Sequence, residues 1–123
     1  MNTQYKNLEV WEKSMKLAET IFQVCETLPK SLTYNLSDQM KRASLSIPSN
    51  IAEWMWRSSN AELIRFLTIA RGSAMELDTQ VILSYRFGHI WDAFHETITG
   101  EIETVLKLLS GFIRYKRSLT DSK

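Results

Sequence analysis

The sequence predicts an all-α protein: an antiparallel up-and-down four-helix bundle whose second helix is kinked near Pro48. Apolar residues recur three and four positions apart along nearly the whole chain, the period of a helix with one buried face. Glycine and proline are scarce, 4 and 2 among 123 residues. The breaks between periodic segments are short, about two to six residues, which favours antiparallel neighbours. The length suits one bundle domain spanning 1–123, large enough to bury its own core without disulfides or metals.

The first helix is predicted from about Leu8 to Leu28, with Asn7 as its N-cap and Pro29 closing it. Its apolar stripe reads Leu8, Trp11, Met15, Ala18, Phe22 and Cys25. The second runs from about Leu32 to Trp56 with a stripe of Leu36, Met40, Ala43, Ile47, Ile51 and Trp54. Pro48 lies inside it, lacks an amide donor and clashes with the preceding turn, so a kink or short break is expected between Leu45 and Asn50. The third helix has the clearest boundaries. Ser59 and Glu62 form a capping box at its start, and Gly88, suited to a left-handed residue, ends it after Phe87. The fourth begins at about Asp92, read as an N-cap, and carries Phe94, Ile98, Ile102, Val105, Leu109, Phe112 and Ile113. Arg114, Lys116 and Arg117 suit the negative end of its dipole.

The third helix has more apolar surface than one bundle needs. Leu63, Leu67, Ala70, Ala74, Leu77 and Val81 make one stripe; Phe66, Ile69, Ser73, Leu83 and Phe87 make a second. A second stripe calls for another surface to cover it, and a symmetric oligomer is the usual supplier; a wide core face in a monomer is the alternative. Trp54 and Trp56, two residues apart, diverge by about 200° on a helix and cannot both face one core. Trp54 continues the core stripe and Trp56 is the outward candidate. The oligomer-interface candidates are therefore Trp54, Trp56, Phe66, Ile69, Ser73 and Leu83.

Composition restricts the function classes. With 15 basic and 14 acidic side chains the net charge is +1, so nothing global attracts nucleic acid. Locally, the stretch from Lys41 to Arg71 holds Lys41, Arg42, Arg57, Arg65 and Arg71 against Glu53 and Glu62. That excess makes these five the nucleic-acid-binding candidates, set against a solvated face with ion pairs. The single Cys25 has no internal disulfide partner and fits a buried thiol in a reducing compartment. The first residues contain no apolar run, so neither a signal peptide nor a membrane span is expected, and the protein is expected in the cytoplasm.

Catalytic chemistry has few actors. Metal-binding bundles use Glu-x-x-His on facing helices, and here there is one Asp-x-x-His, Asp92 with His95, whose aspartate is better spent as a helix cap. His89 falls in a loop. No phosphate loop, zinc-type cysteine pair or nucleophile triad is present, so no cofactor and no enzymatic activity are expected.

Gln39, Arg42, Ala43, Ser46, Ile47, then Asn50-Ile51-Ala52-Glu53, Arg57-Ser58, and later Glu62, Arg65-Phe66-Leu67, Ile69-Ala70, Gly72-Ser73 and Glu76-Leu77 form a run with a known counterpart. It resembles the four-helix-bundle proteins encoded in intervening sequences of bacterial 23S ribosomal RNA genes, as does the opening Tyr5-Lys6-Asn7-Leu8 with Val10-Trp11. The resemblance implies an antiparallel bundle that assembles as a ring-like homopentamer without enzymatic activity. A related branch, the accessory variability determinant of diversity-generating retroelements, implies the alternative of an adaptor for RNA or a ribonucleoprotein. That branch is markedly more basic than this chain, so the near-neutral charge favours the intervening-sequence branch. One departure stands out: Trp54, Met55 and Trp56 occupy the junction where the family carries glycines.

Overall fold

A computed structural model describes residues 8–54 and 59–121, with side chains through residue 119. The described residues form four α-helices: α1 (Glu9–Thr27), α2 (Asp38–Trp54), α3 (Asn60–Arg86) and α4 (Asp92–Asp121). Each packs on its neighbours in sequence, and α1 closes the square against α4. The result is the expected antiparallel four-helix bundle.

Local chemistry sets most boundaries. The Ser59 hydroxyl accepts the amide of Glu62 at 3.2 Å, so the serine half of the capping box expected for α3 is in place. At the other end Gly88 has φ +81°, its amide donates to the Tyr85 carbonyl at 2.9 Å, and the His89 amide donates to Ser84 at 3.0 Å. These two bonds satisfy carbonyls that the helix end leaves open, and they form a Schellman motif.

Other boundaries differ from expectation. Leu8, with extended backbone, stands in the N-cap position of α1 and offers no side-chain cap; Asn7 lies outside the described residues. The second helix begins later than expected, because a 3-10 turn over Lys30–Leu32 and a π turn over Thr33–Ser37 precede Asp38. It then runs unbroken through Pro48, so the expected break is absent and any bend is taken up within one continuous helix. Pro48 is buried, and the Asn50 amide group nearby donates to the Ser46 carbonyl at 2.7 Å. Asp92 also departs from its expected role: the first amide bond of α4 runs from His95 to the Trp91 carbonyl, and the Asp92 carboxylate accepts the Tyr85 hydroxyl instead.

The core follows the predicted stripes on α2, α3 and α4: Met40, Ile47 and Ile51 meet Leu67, Leu77 and Val81, with Ile98, Ile102, Val105 and Leu109 from the last helix. The first helix is a correction. Its fully buried residues are Val10, Leu17, Ile21 and Val24 with Ala18 and Cys25 beside them, whereas Phe22 is exposed and Trp11 and Met15 are half-buried. Both stripes have helical spacing; the one with Leu17 and Ile21 faces the core, while Met15 and Phe22 of the expected stripe turn outward and its Ala18 and Cys25 stay buried. Buried serines turn their hydroxyls back on their own helices, Ser14 to Trp11, Ser44 to Lys41 and Ser84 to Gln80, so small side chains sit in the interior without an orphaned donor. The Cys25 thiol is buried and donates to the Ser37 carbonyl at 3.5 Å. Burial holds its pKa above the ordinary thiol value, against the pull of Lys41.

The two ends of α3 can be tested independently, since 27 residues place them about 40 Å apart. Ser59→Ala is expected to cost about 1 kcal/mol. Gly88→Ala is expected to cost about 1–2 kcal/mol from the left-handed backbone alone, because a Cβ there meets nothing within 4 Å. Urea denaturation of the double variant should return the sum within about 0.5 kcal/mol.

Candidate functional site

The second stripe of α3 lies on the outside of the bundle, on the flank next to α2. Ile69 is 40% exposed, Leu83 42% and Phe87 61%, while Phe66 is half-buried against the core. Ser73, on the same stripe, is tied into the α2–α3 contact: its hydroxyl donates to the Ser46 hydroxyl at 2.8 Å, and Asn50 Nδ2 donates to the same oxygen at 3.0 Å. Asn50, Ser46 and Ser73 therefore form a hydrogen-bonded seam along one margin of an apolar surface, fixing α2 and α3 as one rigid face. Arg65 lies over the Phe66 ring, 5.9 Å from its centroid, so its stem covers part of the stripe while its charge stays in water.

A second apolar surface occupies the adjacent face, between α1 and α2. Met15, Ala18 and Phe22 line a groove of about 460 Å³ with Leu45 opposite, and Glu19 and Gln23 stand at its edge. Leu45 is 49% exposed. Lys41 Nζ sits 5.4 Å above the Phe22 ring and caps one end. Sequence reasoning missed this groove, because it assigned Met15 and Phe22 to the core and left Leu45 unassigned.

The remaining interface candidates fall elsewhere. Trp54 is 5% exposed and packs edge-on to Phe112 of α4, with ring centroids 5.2 Å apart. Its place in the core stripe holds, and that burial withdraws it from any surface a partner could touch. Trp56 lies outside the described residues, as does Arg57.

The basic candidates are not gathered. Lys41 faces α1, Arg42 is exposed on α2, and Arg65 lies on Phe66. Arg71 turns the other way, into a cleft between α3 and α4. A charge count along the chain grouped residues that the helical twist sends to different faces.

The Asp92-x-x-His95 pair builds a polar cluster with α3. Tyr85 stacks on His95 at 4.0 Å between ring centroids and 13° between planes, and its hydroxyl donates to Asp92 Oδ1 at 2.6 Å. Among the described residues no three His, Cys, Asp or Glu side chains come together as a metal would need. No helix among them is long and apolar enough to cross a membrane.

The family model described as 23S rRNA-intervening sequence protein matches residues 6–111. A solved structure from Bacteroides thetaiotaomicron VPI-5482, a protein with unknown function from the S23 ribosomal protein family, is 30% identical to this chain. It aligns with a TM-score of 0.79 over 85% of this chain and 97% of that one. No curated protein matches the chain.

The Tyr85 cluster gives a pH test. The hydrogen bond to Asp92, then the charge of that carboxylate, raises the Tyr85 pKa above the ordinary phenol value. The neutral phenol is the favoured form in the fold, so its stabilising contribution is complete below about pH 10, the unfolded value, and is lost as pH rises through the folded one. Ultraviolet titration should show one tyrosine ionising late in the parent protein and returning to about pH 10 in Asp92→Asn. An identical titration in both proteins contradicts the assignment.

Proposed function

This chain belongs to the 23S rRNA-intervening sequence protein family, and from that premise we propose that it is a non-enzymatic interaction protein whose working form is a closed ring of its own copies, five in number. The observation that carries the proposal is the pair of separate apolar surfaces on one subunit: the Ile69, Leu83 and Phe87 stripe on α3 and the Met15, Phe22 and Leu45 groove between α1 and α2. A two-fold contact joins a patch to itself and leaves the other patch in water. A head-to-tail contact, stripe into groove, covers both on every subunit. The two surfaces lie on adjacent faces of the bundle rather than opposite ones, so repeating the contact turns the chain of subunits back on itself and closes a small ring instead of a fibre. The number five comes from the family resemblance.

The alternative of an adaptor for RNA or a ribonucleoprotein through Lys41, Arg42, Arg57, Arg65 and Arg71 receives less support, because the four described members of that set point to different sides of the bundle.

Light scattering on a size-exclusion column should give a mass of about 72 kDa, five times the 14.3 kDa subunit. Ile69→Asp/Leu83→Asp places two charges on the stripe without touching the subunit's core. It should yield monomers with unchanged helical circular dichroism. A parent protein that is monomeric at micromolar concentration overturns the proposal.

A further inference from the structure

Arg71 of α3 shares a cleft of about 390 Å³ with Ser110, Ile113, Arg114, Arg117 and Ser118 of α4. Three guanidiniums from two helices thus line one recess whose wall holds no carboxylate. Among the described residues none of the three makes an ion pair or hydrogen bond. The acidic residue of α3 on the same side, Asp78, stands seven positions from Arg71, about 10 Å along the axis. On α4 the carboxylates Asp92, Glu96, Glu101 and Glu103 belong to the first half of the helix, away from the basic end, and Asp121, whose side chain lies outside the described residues, closes the helix four positions after Arg117. Arginine does not shed its proton, so three such groups at one recess repel each other until a counter-anion joins them.

The helix dipole does not account for Arg114 and Arg117, because α4 runs on to Asp121 and its last turn holds no basic residue, contrary to the expectation from the sequence. Nor does it account for Arg71, which reaches the same recess from mid-α3 and is half-buried there. The hydroxyls divide the work: Ser118 donates to the Tyr115 carbonyl at 2.6 Å, while Ser110 makes no hydrogen bond within the described structure and is free to donate into the cleft. Arg114 and Arg117 also lie beyond residue 111, where the family match ends, while Arg71 and Ser110 lie within it.

The geometry points to a phosphate-binding site: Arg71, Arg114 and Arg117 grip a multiply charged phosphate anion, with Ser110 as a further donor and Ile113 as the apolar floor. Guanidinium forks match phosphate oxygens in pairs, and three of them converging from two helices select for charge greater than one. A linear polyphosphate and the backbone of a single-stranded RNA present the same chemistry. The site lies within one subunit and does not rest on assembly.

The full chain should be titrated with tripolyphosphate by calorimetry, and with a fluorescent 12-nucleotide RNA by anisotropy, at two salt concentrations. Arg71→Gln/Arg114→Gln/Arg117→Gln should weaken the bound ligand about tenfold or more. For the RNA it should lower the slope of log affinity against log salt by about 2. Lys13→Gln/Lys16→Gln/Lys30→Gln removes the same charge from other parts of the surface and should leave affinity within about twofold. Binding of tripolyphosphate alone identifies a small-anion site, and binding of RNA alone a backbone site; either supports the proposal. No binding of either at low salt, or equal weakening by the two triple variants, overturns it. Circular dichroism should match the parent in both variants, as the substituted side chains lie outside the core.

Discussion

A helix in a four-helix bundle can hide little more than a third of its circumference, and α3 carries apolar side chains around a wider arc than that. Leu67, Ala70, Ala74, Leu77 and Val81 take the inward positions, where α2 and α4 enclose them. Ile69, Leu83 and Phe87 are then forced outward by the 100° step of the helix, whatever the rest of the chain does. The first helix repeats the pattern: once Val10, Leu17, Ile21 and Val24 are inside, Met15 and Phe22 must face out beside Leu45. Two helices with more apolar surface than the subunit can bury leave two faces that only another molecule can cover, and that surplus connects the fold to its proposed function.

The interior shows what makes those faces rigid. The Asn50, Ser46 and Ser73 hydrogen bonds bridge α2 and α3 at the surface. The second stripe is therefore presented on a fixed platform, which lowers the ordering cost of docking. Trp54 performs a comparable service at the end of the core, where its ring meets Phe112 and lies 6.0 Å beneath the Lys116 ammonium. A large aromatic at the end of α2 thus serves this subunit from the inside.

Much of this was legible in the residues, unevenly and for physical reasons. Ser59 with Glu62, and Gly88, are local signals whose meaning does not depend on distant residues, and both ends of α3 came out as read. The core stripes of α2, α3 and α4 were equally clear, because each of those helices has one stripe richer than any rival. In α1 two stripes have the same spacing, and which one turns inward is decided by packing against α2 and α4, information that periodicity does not contain. The cations failed for a related reason. Arg71 lies near Arg65 in sequence and beside Arg114 and Arg117 in space, since neighbouring antiparallel helices align positions far apart in the chain. The Asp92 cap was a fair local expectation overridden by a tertiary partner, the Tyr85 hydroxyl.

The central claim is that two different faces of the subunit meet each other, and complementation between variants tests it most directly. One variant lacks the stripe, Ile69→Asp/Leu83→Asp, and the other lacks the groove, Phe22→Asp/Leu45→Asp. If the contact is head-to-tail, each variant alone is a monomer, yet the pair retains one intact stripe and one intact groove. Mixing them should then give a one-to-one dimer of about 29 kDa by light scattering and nothing larger. A mixture that stays at 14.3 kDa, or either variant alone assembling like the parent, would contradict the account.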